Sequence, residues 1–238
     1  MIGIIAAMET ELRFIKDKLG DVAAETKGGI TFYRGKYENK EVVAAVCGIG
    51  KVFAAMCAEA MIISYSPDVI INTGVAGSLS DKLRVLDCAV ADECVQHDMD
   101  TSPLGDPVGM ISGVDKVYFE TDKAYSDLFR ECCRETGKDP VSCTIASGDA
   151  FIADARRKKR IARLFGASVC DMESAAIAHV CYVNGTPFVI SRCISDGADD
   201  GAKIDFPTMC GKAADISSRA TLMFIEKFGG DHAGWIPK

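Results

Sequence analysis

The sequence contains no apolar run close to the ~20 residues that a membrane-spanning helix needs. It has only three histidines, without the paired spacing of a metal site, and its eleven cysteines form no Cys-x-x-Cys pair. The acids beside His97 are interpreted as hydrogen-bonding neighbours of a loop histidine. No Gly-x-Ser-x-Gly elbow is present. We therefore predict no membrane segment, no serine nucleophile, and neither a bound metal nor another cofactor.

Basic residues are too few for a nucleic-acid surface, since the net charge is -7. The run 156–160 is a local exception, but consecutive basic residues on a helix point all around its axis and cannot form one stripe. No aromatic residues are interleaved with them, so we expect a solvated helix turn. No nucleic-acid partner is predicted.

The composition indicates one globular unit. With 238 residues and 48% hydrophobic content the chain can bury a substantial core, and no shift in composition marks a boundary. We expect a single domain over 1–230 and a loose polar extension over 231–238. The first residues resemble a strand and show no cleavage signal, which favours a reducing, cytoplasmic location. Most cysteines, such as Cys47 and Cys181, have apolar neighbours and are expected to be small core residues.

Short apolar runs alternate with helical patterns along most of the chain. Strands are predicted over 1–7, 31–37, 41–47, 69–72, 88–93, 141–146, 168–170 and 188–194. Helices are predicted over 9–19, 50–65, 123–137, 155–165, 174–184 and 208–228. A few consecutive strands followed by regular alternation indicate an α/β fold, a three-layer αβα sandwich with a central mixed, twisted sheet.

Two apolar runs end abruptly in polar groups, as buried strands do where they deliver side chains to a pocket. The first leads into Asp171 and Glu173, and the second carries Arg192 and ends in Ser195 and Asp196. Each acid alone could be a helix or turn cap. An arginine, a serine and an aspartate leaving one buried run would nevertheless be costly to desolvate unless something polar lies between them. The combination predicts a site.

Two glycine-bearing turns adjoin this predicted site. Residues 47–52 lack the spacer and the Ser or Thr of a phosphate loop, and 73–77 lack the third glycine of a dinucleotide fingerprint. Glu11 follows the first strand, so with Glu173 and Asp196 it could place three acids at the carboxyl ends of strands. One acid could activate water, one could hold hydroxyls and one could deliver a proton, which suits glycosidic cleavage. Alternatively, Glu11 only stabilises the start of its helix, because a negative charge interacts favourably with the helix dipole there.

Six segments in order carry a family resemblance. They are residues 2–11, 48–51, 70–77, 147–152, 171–173 and 191–196. Any one is weak, but together they are specific, and the chain resembles the 5'-methylthioadenosine/S-adenosylhomocysteine nucleosidases of the nucleoside phosphorylase superfamily up to about residue 228. The resemblance implies a phosphorylase/hydrolase-like fold. It also implies hydrolysis of the N-glycosidic bond of 5'-methylthioadenosine and S-adenosylhomocysteine, with 5'-deoxyadenosine as a further candidate substrate.

The resemblance assigns the catalytic roles. Asp196 would protonate N7 of adenine and turn the base into a neutral leaving group. Glu11 would take a proton from the attacking water, and Arg192 would help to place that water. Glu173 would accept hydrogen bonds from the ribose hydroxyls. These roles fit an oxocarbenium-like transition state, which needs leaving-group protonation and nearby negative charge.

The resemblance also assigns the contacts of the nucleoside. Phe151 would stack on the purine, and the backbone of Ile152 would read its Watson–Crick edge. Met172 would pack against the sugar, and Phe206 would close over the ligand. The other expected pocket residues are Met8, Ile49, Ala76, Gly77, Asp171 and Ser195.

Two positions depart from the family pattern. Val75 stands where many members have serine, so one hydroxyl near the water site is missing. The loop 101–106 lacks the usual phenylalanine, and Leu104 is expected to supply an apolar wall instead. A homodimer is implied, in which loop 97–112 of the partner completes the pocket.

Two alternatives on the same scaffold remain open. A phosphate-dependent purine nucleoside phosphorylase would hold an anion where the water sits, which requires converging cations or amides. Arg192 is the basic residue expected there, and Glu11 would repel the anion. The second alternative is a non-catalytic nucleoside-binding protein, although a binder has no need of a water-activating acid. In each case the partner is a small nucleoside.

Overall fold

The computed structural model describes residues 1–199 and 201–229. The strands are β1 (Ile2–Ala6), β2 (Gly20–Lys27), β3 (Ile30–Tyr37), β4 (Lys40–Val46), β5 (Val69–Ser78), β6 (Cys88–Gln96), β7 (Tyr118–Glu120), β8 (Val141–Ser147), β9 (Val169–Asp171) and β10 (Phe188–Asp196). The helices are α1 (Glu9–Lys16), α2 (Lys51–Tyr65), α3 (Lys123–Glu135), α4 (Ala155–Phe165), α5 (Ser174–Asn184) and α6 (Ala202–Lys227). A short 3-10 helix covers Ser102–Leu104.

The strands form one mixed sheet in the order β10-β6-β8-β9-β5-β1-β4-β3-β2, with β7 paired to β6. β10 also pairs with β5, so β5, β10, β6, β8 and β9 form a closed circuit. Both β1 and β10 run parallel to β5. Their carboxyl ends therefore meet at one edge of the sheet, which is where ligands bind in α/β folds.

Helices cover both faces of the sheet. α1, α3 and α6 pack on one face over a core that includes Phe129 and Phe224. α2 and α5 pack on the other face over a core that includes Met61 and Ile190. Fully burying each such side chain contributes about 1.5–3 kcal/mol to folding. The predicted three-layer αβα sandwich with a central mixed sheet is confirmed.

The sequence pattern does not predict two of the strands. β2 lies at the edge of the sheet, and its residues are almost all exposed, so it shows no apolar alternation. β7 is three residues long and pairs with β6. Strands this short or this exposed have no periodic signal to detect.

Two elements extend furthest beyond their predicted bounds. β5 continues through the glycine-bearing stretch 73–77, because β10 and β9 pair with it there. α6 begins at Ala202 although Pro207 lies inside it. The Thr208 hydroxyl donates to the Ile204 carbonyl at 3.0 Å in this part of the helix. The predicted start after the proline is wrong, since a proline near the beginning of a long helix removes one hydrogen bond without ending it.

All eleven cysteines are free thiols, and ten of them are buried, as expected of small core residues. Among the described residues, no helix is both long and apolar enough to span a bilayer. In the same part of the chain, no group of three His, Cys, Asp or Glu side chains could hold a metal ion. The domain limits 1–230 stay a prediction, and the extension at 231–238 lies outside the described residues.

Candidate active site

Three buried carboxylates lie around the carboxyl-terminal half of β5. Glu11 is in the first turn of α1, Glu173 follows β9, and Asp196 ends β10. Their exposed fractions are 3%, 6% and 2%. Asp196 pairs in register with Gly77 of β5, and Glu11 bonds to the backbone of Val75. The structure thus brings together the three acids that the sequence places at strand ends.

Glu11 is held by backbone amides on both oxygens. Its Oε2 accepts hydrogen bonds from the N–H groups of Ala7 at 3.0 Å and Met8 at 2.9 Å, and its Oε1 accepts one from Val75 at 2.8 Å. Burial raises the pKa of Glu11, while these three donors and the charge of Arg192 act in the opposite direction. The outcome is an oriented carboxylate with raised basicity, which suits a general base.

Gly74 permits the close approach of Glu11 to β5. A Cβ at this position would lie 2.4 Å from Oε1 of Glu11, well inside contact distance. Any larger residue would therefore displace the carboxylate. The neighbouring acid Glu9 is exposed on another side of α1 and pairs with Lys16 at 3.1 Å.

Asp196 is held by one hydroxyl and one backbone amide. Its Oδ2 accepts from the Ser195 hydroxyl at 2.8 Å, and its Oδ1 accepts from the Ala198 N–H at 2.9 Å. Burial raises the pKa of Asp196, and the negative charges of Asp205 and Asp199 raise it further, while both hydrogen bonds oppose the rise. A raised pKa favours the protonated form, which a general acid requires.

Glu173 faces the glycine turn before α2. Its Oε1 accepts from the Gly50 N–H at 2.8 Å, and the next amide, Lys51 N–H, donates to Asp149 at 2.8 Å. Gly50 has a φ of 101°, a conformation that glycine adopts without strain. Burial raises the pKa of Glu173, and the carboxylate of Asp171 adds to the rise. The turn therefore presents its amides to acids of the protein itself, in agreement with the prediction that it is not a phosphate loop.

Arg192 is buried and bonded entirely to the protein. Its Nε donates to Asp171 at 2.9 Å, and its Nη1 donates to the carbonyls of Asn72 at 3.1 Å and Ser191 at 2.9 Å. Its Nη2 donates to the Asn72 side chain and to the Ser174 hydroxyl. A guanidinium has five N–H donors, and these bonds use all of them. The predicted role of Arg192 in placing the water stays a prediction, and in this arrangement Arg192 acts on Glu11 through its charge.

Asp171 also lies behind the site. Besides Arg192, it accepts hydrogen bonds from the hydroxyls of Ser147 and Ser174, and from the Glu173 N–H at 3.3 Å. Both oxygens are thus bonded to protein groups, which gives Asp171 a structural role, and its predicted contact with the substrate stays a prediction. It balances the buried charge of Arg192, and removing one partner of such a pair typically costs about 3–5 kcal/mol.

The residues predicted to hold the purine lie between β8 and α4. Phe151 is half exposed, and its ring makes an edge contact with the ring of Phe206 from α6, with 5.5 Å between centroids. Ile152 is buried in a small core with Ile161 and Phe165. An aromatic ring beside a rigid backbone segment suits a flat base, although the contacts with a ligand stay predictions.

Several other predicted pocket residues border the same region. Met8 packs with Val75 and Phe206 in one apolar cluster. Gly77 is needed for space, since a Cβ there would lie 3.0 Å from Oδ1 of Asp196. The carbonyl of the preceding residue, Ala76, accepts a hydrogen bond from the Ser195 hydroxyl at 3.2 Å.

The remaining predicted contacts are more exposed. Met172 is partly buried between the acids on either side of it, and Ile49 lies exposed in the turn before α2. Leu104 is 84% exposed on the 3-10 helix, as expected of a side chain that would serve a partner's pocket. Their roles toward a ligand stay predictions.

Sequence reasoning missed the polar residues behind the acids. Asn72, Ser147 and Ser174 surround the pair formed by Arg192 and Asp171. Asn72 also donates to the Ile5 carbonyl at 2.9 Å, which joins β5 to β1. An asparagine inside an apolar run was the available signal, because a buried amide needs partners.

Comparison with known proteins agrees with this geometry. The Phosphorylase superfamily model matches residues 1–226. A 5'-methylthioadenosine/S-adenosylhomocysteine nucleosidase of Treponema pallidum is 37% identical to this chain over an alignment 250 residues long. The alignment covers 95% of this chain and 93% of that protein.

Solved structures give the same result. A crystal structure of 5'-methylthioadenosine/S-adenosylhomocysteine nucleosidase from Neisseria meningitidis, in complex with methylthio-immucillin-A, has a TM-score of 0.92 at 31% identity and covers 95% of this chain and 99% of that one. A futalosine hydrolase of Helicobacter pylori also has a TM-score of 0.92, at 33% identity over 95% of this chain and 97% of that one. The chain belongs to the 5'-methylthioadenosine/S-adenosylhomocysteine nucleosidase family of the phosphorylase superfamily.

Proposed function

We propose that the protein hydrolyses the N-glycosidic bond of 5'-methylthioadenosine and S-adenosylhomocysteine, releasing adenine and the 5-substituted ribose. The observation that carries this proposal is the meeting of Glu11, Glu173 and Asp196 around the end of β5, each buried and each oriented by protein donors. Relatives that are 37% and 36% identical to this chain bear the name of this activity.

The three acids divide the work by their surroundings. Asp196, whose pKa is raised by burial and by neighbouring acids, donates a proton to N7 of adenine. Glu11, which three amides keep oriented, accepts a proton from the water that attacks the sugar. Glu173 binds the ribose hydroxyls and adds negative charge near the oxocarbenium-like transition state. Met172, Phe151, Ile152 and Phe206 enclose the nucleoside.

Hydrolysis is favoured over phosphorolysis by the way Arg192 is used. A phosphate anion needs several donors at the position of the nucleophile. All five N–H groups of Arg192 are bonded to protein acceptors. The buried carboxylate of Glu11, on which the charge of Arg192 acts, would repel an anion bound beside it. Water, which can donate a proton to Glu11, fits this environment better than an anion.

One assay tests the proposal. The protein is incubated with 5'-methylthioadenosine in buffer with and without phosphate, and the sugar product is identified. Equal adenine release in both buffers, with free methylthioribose as product, is expected. Methylthioribose 1-phosphate formed only with phosphate would identify a phosphorylase, and absence of adenine would identify a binding protein.

The 5' substituent is tested in the same assay. The fold alone does not determine which 5' substituent is accepted. A futalosine hydrolase and a 5'-methylthioadenosine/S-adenosylhomocysteine nucleosidase superpose on this chain equally well, each with a TM-score of 0.92. We propose that small and apolar 5' groups are preferred, since Met8, Phe206 and Leu104 are apolar. Comparing kcat/KM for 5'-methylthioadenosine, S-adenosylhomocysteine, 5'-deoxyadenosine and futalosine ranks them, and a highest value for futalosine would contradict this preference.

We further propose a homodimer in which loop 97–112 completes the partner's pocket. α2 exposes apolar side chains along one face, namely Val52, Phe53, Met56 and Ile63. An apolar patch of this kind is typical of a protein interface. The Lys51–Asp98 ion pair, at 2.7 Å, joins the start of α2 to the loop that carries Leu104. The same surface would therefore present α2 and the loop to a second copy.

Light scattering tests the dimer. Val52→Asp puts a charge into the proposed interface and should give a monomer with at least about tenfold lower kcat/KM, because the partner loop is lost. Val22→Asp, at an exposed valine on the edge strand β2, is the matched control and should remain dimeric and active. A Val52→Asp monomer with full activity would contradict the role of the loop. We also propose a reducing, cytoplasmic location, with which the eleven free thiols are compatible.

A further inference from the structure

One residue of the basic run on α4 differs from the others. Arg156, Arg157, Lys159 and Arg160 are exposed, as expected of a solvated helix turn. The side chain of Lys158 is only 15% exposed, because it points toward the loop that follows Asp196. The expectation for the run as a whole therefore fails at this one position.

Lys158 binds the peptide that orients the proposed general acid. Its Nζ donates a hydrogen bond to the carbonyl of Gly197 at 2.8 Å. The N–H at the other end of the same peptide group belongs to Ala198 and donates to Oδ1 of Asp196 at 2.9 Å. An ammonium on the carbonyl polarises the peptide and strengthens its N–H as a donor, since hydrogen bonds in a chain reinforce one another.

The loop has a conformation that needs such support. Ala198 has a φ of 49°, in the left-handed region that is strained for a residue with a Cβ. The next residue, Asp199, has its Oδ2 3.9 Å from the Lys158 ammonium and accepts from the Gly201 N–H at 3.0 Å. Lys158 therefore touches the loop at two points, one a carbonyl and one a charge.

We propose that Lys158 is a positioning residue for catalysis: it holds the Gly197–Ala198 peptide so that its N–H orients the carboxyl group of Asp196, and it offsets the negative charge of Asp199. The inference rests on the proposed function, in which Asp196 is the acid. It adds a contact between α4, which follows the residues predicted to hold the purine, and the loop beside the proposed general acid.

The direction of the effect on pH dependence follows from the charges. The groups that face Asp196 or its loop are Asp199 after β10, Asp205 and Cys210 on α6, Cys170 on β9, and Lys158 with Arg157 on α4. Removing the Lys158 ammonium weakens the donor to the carboxylate and leaves the charge of Asp199 unopposed. Both changes raise the pKa of Asp196, so the alkaline limb of kcat/KM should move to higher pH.

The test uses the full chain and 5'-methylthioadenosine as substrate. Lys158→Met should lower kcat about tenfold through the lost charged hydrogen bond, with little change in KM, and should move the alkaline limb up. Lys159→Met removes the same charge from the exposed side of α4 and should match the wild type in all three measurements. Lys158→Arg, which keeps the charge and a donor, should restore most of the activity.

The outcomes separate the two proposals. A wild-type chain that releases no adenine overturns the proposed function and the inference with it. An active wild type in which Lys158→Met behaves like Lys159→Met overturns the inference alone. If Lys158→Met does not fold, as judged by circular dichroism, Lys158→Gln decides: it also removes the ammonium from the Gly197 carbonyl, so kcat should fall and the alkaline limb should move up. A wild-type kcat and an unmoved limb in Lys158→Gln then overturn the inference.

Discussion

The two acids that would act at opposite ends of the scissile bond are held in different ways. Glu11 accepts three backbone N–H groups, from Ala7, Met8 and Val75. Asp196 accepts one backbone N–H and one hydroxyl. Burial raises the pKa of both groups, yet Arg192 opposes the rise at Glu11, whereas neighbouring acids add to it at Asp196.

This difference separates a base from an acid among chemically similar groups. Fixed amide dipoles and a buried cation favour the carboxylate, so Glu11 can be charged before water attacks the sugar. Neighbouring negative charge favours the protonated carboxylic acid, so Asp196 can hold a proton for the base. The environment rather than the residue type therefore assigns the two roles. Each of the following changes alters one side of this comparison.

The largest effects are expected from neutralising each acid. Glu11→Gln and Asp196→Asn should each lower kcat/KM by about 10²- to 10⁴-fold, the usual contribution of general acid–base catalysis. In the pH profile of the residual activity, Glu11→Gln should lose the acidic limb and Asp196→Asn the alkaline limb. Substrate binding, measured by calorimetry, should survive in Glu11→Gln. Loss of the opposite limb in either variant would reverse the assignment.

Gly74→Ala should disturb the Glu11 side alone. The new Cβ would lie 2.4 Å from Oε1, so the carboxylate must move away from the Val75 N–H. We expect about a 10²-fold loss of kcat, in line with the effect of misplacing a catalytic group by about 1 Å. Gly211→Ala in α6 is the control, since its Cβ meets nothing within 4 Å and alanine favours a helix. Equal activity of the two variants would show that the position of Glu11 is not critical.

Arg192→Met removes the cation that opposes the raised pKa of Glu11. That pKa should rise further, so the base stays protonated to higher pH and the acidic limb of kcat/KM moves up. A loss of about tenfold at neutral pH is expected, equivalent to about 1.4 kcal/mol. Arg192→Lys keeps the charge and should leave the limb in place, although its contacts with Asp171 and Asn72 change. A limb that shifts equally in both variants would indicate geometry rather than charge.

Val75→Ser should have the smallest effect. The side chain of Val75 packs in an apolar cluster, while its backbone N–H is the group that binds Glu11. Serine adds a hydroxyl beside the water position without changing that N–H, so kcat should change by less than about threefold. The loss of buried methyl groups should lower the melting temperature slightly. A gain of tenfold or more would show that water placement limits the wild type.

Much of this site could be predicted from sequence, and the failures have one cause. The acids at strand ends, the aromatic residue before α4 and the glycine turn before α2 are local features, and each is found where it is predicted. The stretch 73–77, predicted as a turn, instead continues β5, because β10 and β9 pair with it. Arg192 and Asp171 were expected to face the ligand, but each is bonded to protein groups on every side. Lys158 was expected to be solvated, yet it binds Gly197. In each case the sequence shows the type of the residue but does not show which distant group it will bind.

The order of most strands and helices and the chemistry available at the strand ends follow from the sequence alone, because apolar periodicity and residue type are local properties. The hydrogen-bond partners that hold those groups depend instead on contacts between distant parts of the chain. Glu11 bonds to Val75, 64 positions away, Arg192 to Asn72, 120 positions away, and Glu173 to Gly50, 123 positions away. Such contacts depend on the register between strands and on the closed circuit of β5, β10, β6, β8 and β9. No local sequence pattern encodes either of them.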